Sequence, residues 1–175
     1  MDASQPLPRL WLMTDERLGD GLIAAVARLP AGAGIVFRHY RTEPIARRRL
    51  FDEIREERPD LLILLGGSSQ EARAWGADGS HGRGPGEGLR TAPAHDLAEI
   101  RQAETARAAA VFVSPVFATR SHPGAPILGV RGFEALAAST PLPAVALGGM
   151  SAGRYALLGN AYGWAAVDAW SSSPS

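Results

Sequence analysis

The chain has 175 residues, 46% hydrophobic and 21% charged, with 18 basic side chains balanced by 18 acidic ones. That composition predicts one globular domain with a sizeable core, and it excludes a disordered chain and nucleic-acid binding driven by bulk charge. Cysteine is absent and every base is arginine, which removes disulfides, thiol nucleophiles, lysine Schiff bases and lysine-dependent phosphate loops.

Taken in chain order, Leu10–Thr14 predicts a buried strand stopped by Asp15, and Leu22, Ile23, Val26 and Leu29 form a helical stripe over 18–29. Ile35–Phe37 predicts a second strand. Glu43–Arg58 predicts a helix with Pro44 in its first turn and Pro59 ending it. Leu61–Leu65 is a continuous aliphatic run, the pattern of a strand covered on both faces. Ser69–Trp75 then predicts a short helix and Ala77–Ser80 a short strand, while the glycine-rich stretch 82–88 must be a loop. Leu89–Thr91 is a brief strand, Asp96–Ala109 a helix and Ala110–Val113 a strand. A long loop over 114–129 leads to a helix at Arg131–Ala138. Pro143–Leu147 is a strand, Ser151–Leu158 a helix and Gly163–Val167 the last strand.

Eight strand candidates alternating with helices imply a parallel α/β sheet. Length favours an open doubly wound sheet, because closed barrels typically take about 250 residues. The strand count, and the double glycine after the seventh strand, favour the barrel. No full helix fits between Val167 and Ser175. The flank that helix would cover is expected to meet a partner subunit, making a homodimer, or a folded-back N-terminal segment. About 1–9 and 171–175 are expected to be flexible ends. No apolar run is long enough to span a membrane, and Met1–Pro6 lacks the basic and apolar segments of a signal peptide. A cytoplasmic protein with neither nucleic acid nor membrane as partner is expected.

Several motifs carry possible chemistry. In Leu147-Gly148-Gly149-Met150-Ser151 the glycines let a ligand approach the backbone and Ser151 can cap a helix, a phosphate-binding arrangement or simply a tight turn. The loop from Ser114 to Gly124 carries Thr119, Arg120, Ser121 and His122, and loops this long in compact domains are usually functional. Its hydroxyls and guanidinium suit an anionic head group. His81 ends a strand at the presumed active face, as a general acid or base or as a structural histidine. Val36, Arg38 and Tyr40 share one strand face and His39 points oppositely, so Arg38 must meet an anion: a substrate, or an internal partner such as Asp15 or Asp168. The loop at 82–88 is no dinucleotide fingerprint, because Pro85, Gly86 and Gly88 cannot open a helix. Arg48 and Arg49, four residues before Asp52 and Glu53, are expected to pair along a solvated helix face.

Taken together, these segments resemble the thiamine phosphate synthase and thiazole tautomerase superfamily. The carriers are Leu10–Asp15, Gly76–His81, Ala94-His95 with Glu99, Ser114–Phe117 and Ala146–Met150, in the family's order and spacing. The resemblance implies a single-domain TIM (β/α)8 barrel, its last helix largely missing, that binds a phosphorylated small molecule near thiamine biosynthesis. It places Ser114, Thr119, Ser121, Gly148 and Gly149 at the substrate and its phosphate, with Arg38 and Arg120 as anion contacts.

The departures are as informative. Synthases of the family release diphosphate with the help of magnesium and cationic side chains. Where the family has glutamine, arginine and lysine on strand two, this chain has Val36, Arg38 and Tyr40. Where the family has asparagine–aspartate after strand three, it has Gly66 and Gly67. The loop after His81 brings no acid before Glu87, and the lysine of the long loop is His122. A missing charge-assisted bond to a buried phosphate oxygen costs about 2–3 kcal/mol, so efficient synthase chemistry is not expected and no metal site is assigned. Magnesium would need substitute ligands such as Glu87 and Asp15. The tautomerase branch needs no metal, but its acid–base histidine is Pro115 here, which leaves His122 or His81 to move a proton. Asp168 replaces a small hydroxyl residue of the family. At about 5 Å, in an effective dielectric of about 20, it would repel a phosphate by roughly 3 kcal/mol per unit charge unless Arg120, Arg38 or Arg154 pairs with it. A noncatalytic relative that binds a small ligand or a partner is the alternative.

Overall fold

Each strand of this chain buries both its faces, so alternate side chains are sorted into two apolar layers. The computed structural model describes residues 6–119, 124 and 126–170. Eight parallel strands follow one another around a closed barrel: β1 (Leu10–Met13), β2 (Gly34–Phe37), β3 (Leu62–Gly66), β4 (Gly79–His81), β5 (Leu89–Ala94), β6 (Ala110–Val113), β7 (Ala144–Leu147) and β8 (Gly163–Ala166). Closure comes from β8 pairing with β1, in the register Trp11↔Ala165. The open sheet that length favoured is excluded.

Inside the barrel lie Trp11, Met13, Val36, Leu64, Phe112, Val145, Ala165 and Val167. Trp11 and Phe112 meet edge to face, with ring centroids 5.3 Å apart. So large a side chain fits because Trp11 is in register with Gly34 on β2; a Cβ on Gly34 would stand 2.4 Å from the indole. Outside, two layers cover the strands. Leu22 and Val26 of α1 (Gly21–Ala27), with Phe51 and Ile54 of α2 (Pro44–Glu57), pack on Leu12, Ile35, Phe37, Ile63 and Leu65. Ile100 of α4 (Leu97–Thr105) and Phe133 of α5 (Gly129–Ala138) pack on Val111, Val113, Ala144 and Ala146. The remaining helices are short: α3 (Ser69–Trp75) and α6 (Ala152–Tyr155).

Among the described residues the outer ring has fewer helices than the barrel has strands. Between β4 and β5 runs only the glycine-rich loop, and Arg90 of β5, 7% exposed, fills that flank. Its guanidinium donates to the carbonyls of Gly86 and Ala106. After β8 the described chain makes one 3-10 turn, Asp168–Trp170. There Trp170 stacks on Trp164 at 5.3 Å and packs against both outer layers, while Arg28 donates to its carbonyl. The flank expected to await a partner or the N-terminal segment is thus lined by the chain's own indole. Residues 6–9 run past the barrel instead, with the Leu7 carbonyl accepting from Tyr162 at 2.5 Å and the Pro8 carbonyl from Trp11 at 2.7 Å.

Element ends differ from expectation for local reasons. The helix expected over 18–29 opens as a 3-10 turn, Glu16–Leu18, capped by Asp15, and is interrupted at Gly19 (φ +46°) before α1 begins. β4 starts two residues later than expected because Asp78 is held below it, accepting from the Ile63 amide and from Arg55. The fifth strand, expected over Leu89–Thr91, runs on to Ala94, its register continuing through Pro93↔Phe112. Along α2, the Arg48–Asp52 pair forms as the spacing predicts.

Candidate functional site

At the C-terminal ends of the strands a cavity of about 740 Å³ opens, the size and place of a small-molecule site in a parallel barrel. One wall is built by β6 and β7. The Val116 amide donates to Leu147 O at 2.9 Å and the Phe117 amide to Gly148 O at 3.1 Å, zipping the two loops together. Gly148, at φ +96°, is required there, since a Cβ would stand 2.7 Å from Pro115 Cα. The Arg154 guanidinium donates to the Gly149 carbonyl and lies 5.0 Å over the Phe117 ring. Ser151 caps α6 by accepting from the Arg154 amide. Gly148, Gly149, Ser114, Thr119, Ser151 and Arg154 therefore share one side of the cavity.

The adjoining wall carries the charges of β8, β1 and β2. Thr14 Oγ1 accepts from the Arg38 amide at 2.9 Å, and Arg38 Nε donates to the Thr14 carbonyl at 2.8 Å. Arg38 meets its anion inside the protein, Asp15 at 3.1 Å, while still lining the cavity. Arg17 stands 3.6 Å from Asp15 and 3.6 Å from Asp168. Asp168 thus has a guanidinium beside it, supplied by Arg17, a residue that sequence reasoning passed over. Its only signal was a position just past the end of the first strand.

Histidines occupy a third side. His81 is buried, with Nδ1 2.8 Å from Thr91 Oγ1 and its ring edge to face with Phe112 at 4.9 Å. Burial, and secondarily the charge of Arg38, push its imidazole down to about 3, so it is neutral across the physiological range. His95, at the end of β5, also lines the cavity, and its Nδ1 lies 2.7 Å from Glu99 Oε2. Burial would raise the Glu99 carboxyl, but hydrogen bonds from the His95 ring and amide and the nearby Arg83 charge hold it below the ordinary carboxylate value. His39 is buried away from the cavity lining, stacked on Phe37 at 5.0 Å with Nδ1 3.0 Å from Thr14 Oγ1. Arg120, Ser121 and His122 lie outside the described residues.

The places where the resemblance puts metal carboxylates are filled otherwise. A Cβ on Gly66 would stand 2.5 Å from the Tyr40 hydroxyl, and one on Gly67 2.8 Å from Glu71 Oε2. Arg47, from the arginine run of α2, turns inward here rather than to solvent. It donates to the Gly66 carbonyl at 3.0 Å and to Glu71 at 2.8 Å, and it lies 4.8 Å over the Trp75 ring. The substitute ligands do not converge: Glu87 pairs with Arg73 on the exposed loop, and Asp15 pairs with Arg38. Among the described residues no three histidine or carboxylate groups come together as a cation site. The residues present do not fit a resident magnesium ion.

The sequence profile of the family described as Thiamine monophosphate synthase matches residues 91–169, which run from β5 through the turn after β8. A putative thiamine-phosphate synthase 2 of Aquifex aeolicus is 27% identical over 162 residues, covering 83% of this chain and 87% of that one. A thiamine-phosphate synthase of Chloroflexus aurantiacus is 29% identical over 163 residues, covering 82% and 74%. Among solved structures, a thiamine phosphate pyrophosphorylase from Pyrococcus furiosus superposes with a TM-score of 0.76 at 20% identity, covering 95% of this chain and 88% of that one. No helix among the described residues is long and apolar enough to cross a membrane.

Proposed function

We propose that the chain is a member of the thiamine phosphate synthase and thiazole tautomerase superfamily, to which its matched profile and its relatives are similar, and that its barrel mouth binds a phosphorylated thiazole and acts on it without a metal. One observation carries this: the β6 loop and the Gly148–Gly149 turn are zipped together beside Arg154 at one side of the cavity. Backbone and hydroxyl groups held so rigidly suit a phosphate. The stretch matched by the family profile, 91–169, contains that wall. The wall where a diphosphate and its magnesium would sit is instead occupied by Tyr40, Arg47 and Glu71. Pairing of Asp168 with Arg17 removes the main electrostatic objection to an anion in the cavity.

Calorimetric titration with thiazole phosphate and with its carboxylate, each with and without magnesium, tests the reading. Saturable binding that magnesium does not change is expected. Arg154→Ala should weaken it about tenfold or more, the worth of a hydrogen bond to a charged group. No heat with either compound would exclude the reading and favour a noncatalytic relative with another ligand or a protein partner. The filled metal positions are the observation that favours this second possibility. Magnesium-dependent pyrophosphate release would favour a synthase instead.

A further inference from the structure

We propose that His95, oriented by Glu99, is the group that moves a proton on the ligand in this cavity. The assignment rests on the reading of the cavity as a phosphorylated-thiazole site and gives a role to His95 and Glu99, which the sequence named only as carriers of the resemblance. His95 lines the same cavity as Gly148, Gly149 and Arg154, and about half of its side chain is exposed. Its Nδ1 lies 2.7 Å from Glu99 Oε2 and 3.3 Å from Arg83 Nη2; the shorter contact, to a carboxylate that only accepts, assigns the proton to Nδ1 and leaves the Nε2 lone pair as the base. Glu99 is held on both ends: its Oε2 also accepts from the His95 amide at 2.8 Å, and its own amide donates to Asp96, the cap of α4. Arg83 holds the other oxygen, Oε1.

This is the base–orienter arrangement of acid–base catalysis. The bond from the His95 amide to the same Oε2 ties the carboxylate to the chain just ahead of α4 and so places it beside the ring. The other described histidines are less suited. His81 is enclosed and stays neutral with a very weak lone pair, which suits it to a hydrogen bond rather than to proton abstraction. His39 does not line the cavity.

In the step itself, Nε2 takes a proton from an acidified C–H of the bound ring. The C–H electron pair stays in the conjugated ring system, and the imidazolium charge faces the Glu99 carboxylate. The half-exposed imidazolium exchanges its Nε2 proton with water, and a proton from Nε2 is then delivered to a different carbon of the same conjugated system. No bond to nitrogen, oxygen or phosphorus breaks, and no co-reactant is consumed; the net change is an isomerisation.

The test follows deuterium incorporation from D2O into thiazole carboxylate phosphate by NMR, with calorimetric binding measured alongside. Wild type should bind and exchange. His95→Gln, which can keep the contact to Glu99, should bind within about threefold of wild type and exchange about 10²–10⁴-fold more slowly. His95→Ala should recover exchange when imidazole is added, a rescue that a purely structural histidine would not show. Exchange at the wild-type rate in His95→Gln, or binding without exchange in wild type, overturns the assignment while leaving the cavity reading intact. Absence of binding in wild type overturns both.

Discussion

On the proposed function, the ion pair between Asp168 and Arg17 decides whether an anion is admitted. A carboxylate at the end of β8 repels phosphate unless a cation stands beside it, and Arg17 does so at 3.6 Å while also reaching Asp15. Arg17→Ala should therefore weaken binding of thiazole phosphate, and Asp168→Asn should strengthen it. The double variant should fall short of the sum of the two effects by about 0.5–3 kcal/mol, the usual coupling of neighbouring charges, as calorimetry would read it. His81 belongs to the same scale. Its pKa is about 3 in the folded chain, far below its ordinary value near 6.5, so the unfolded chain takes up a proton that the folded chain refuses. The stability it contributes is complete above pH 6.5 and is lost as pH falls toward 3. Urea unfolding between pH 7 and pH 5 should show a loss of on the order of 1 kcal/mol per pH unit, much reduced in His81→Gln. His39, lowered likewise by burial, adds in the same direction.

At the scale of elements, strands were legible because a parallel strand covered on both faces is written as an apolar run, and Leu61–Leu65 and Ala110–Val113 read that way directly. Ends were less legible, since they depend on what an end touches. The fifth strand continues past Pro93 because β6 supplies the register, and α6 shrinks to one turn, Ala152–Tyr155. Packing between elements carries a sharp prediction. Trp11 and Gly34 are register partners, and Gly34→Ala drives a methyl group to 2.4 Å from the indole. Because both are enclosed by the closed barrel, the ring has little room to retreat, and a cost of about 1–3 kcal/mol is expected in denaturant unfolding. At the start of α4, Asp96→Ala should cost about 1 kcal/mol by removing the cap. It should also slow proton exchange, because the cap holds Glu99 against His95.

At the scale of the molecule, the described residues close a complete ring of strands with fewer helices than strands around it. Arg90 on one bare flank and Trp170 on the other do the covering. Truncating Trp170 to alanine should uncover Trp164 and parts of both outer layers. A drop of about 2–4 kcal/mol, toward the lower end for a large aromatic because this ring is only partly buried, is expected in thermal or denaturant unfolding. Should the exposed face then pair with a second copy, light scattering would show it as concentration-dependent mass.

By itself the sequence determined the order of elements, the parallel architecture and the glycine turn after β7, because periodicity, apolar runs and glycine act over a few neighbouring residues. It also determined that lysine and cysteine chemistry are absent. Strand count, the double glycine and the resemblance also pointed to the barrel, which the structure closes; Arg17 beside Asp168, Arg47 folded over the top of β3 and the cavity shared by His95 and Gly148 were decided only by the tertiary structure. Those contacts join segments far apart along the chain. Their strength depends on distance and burial, which no local pattern of residues encodes.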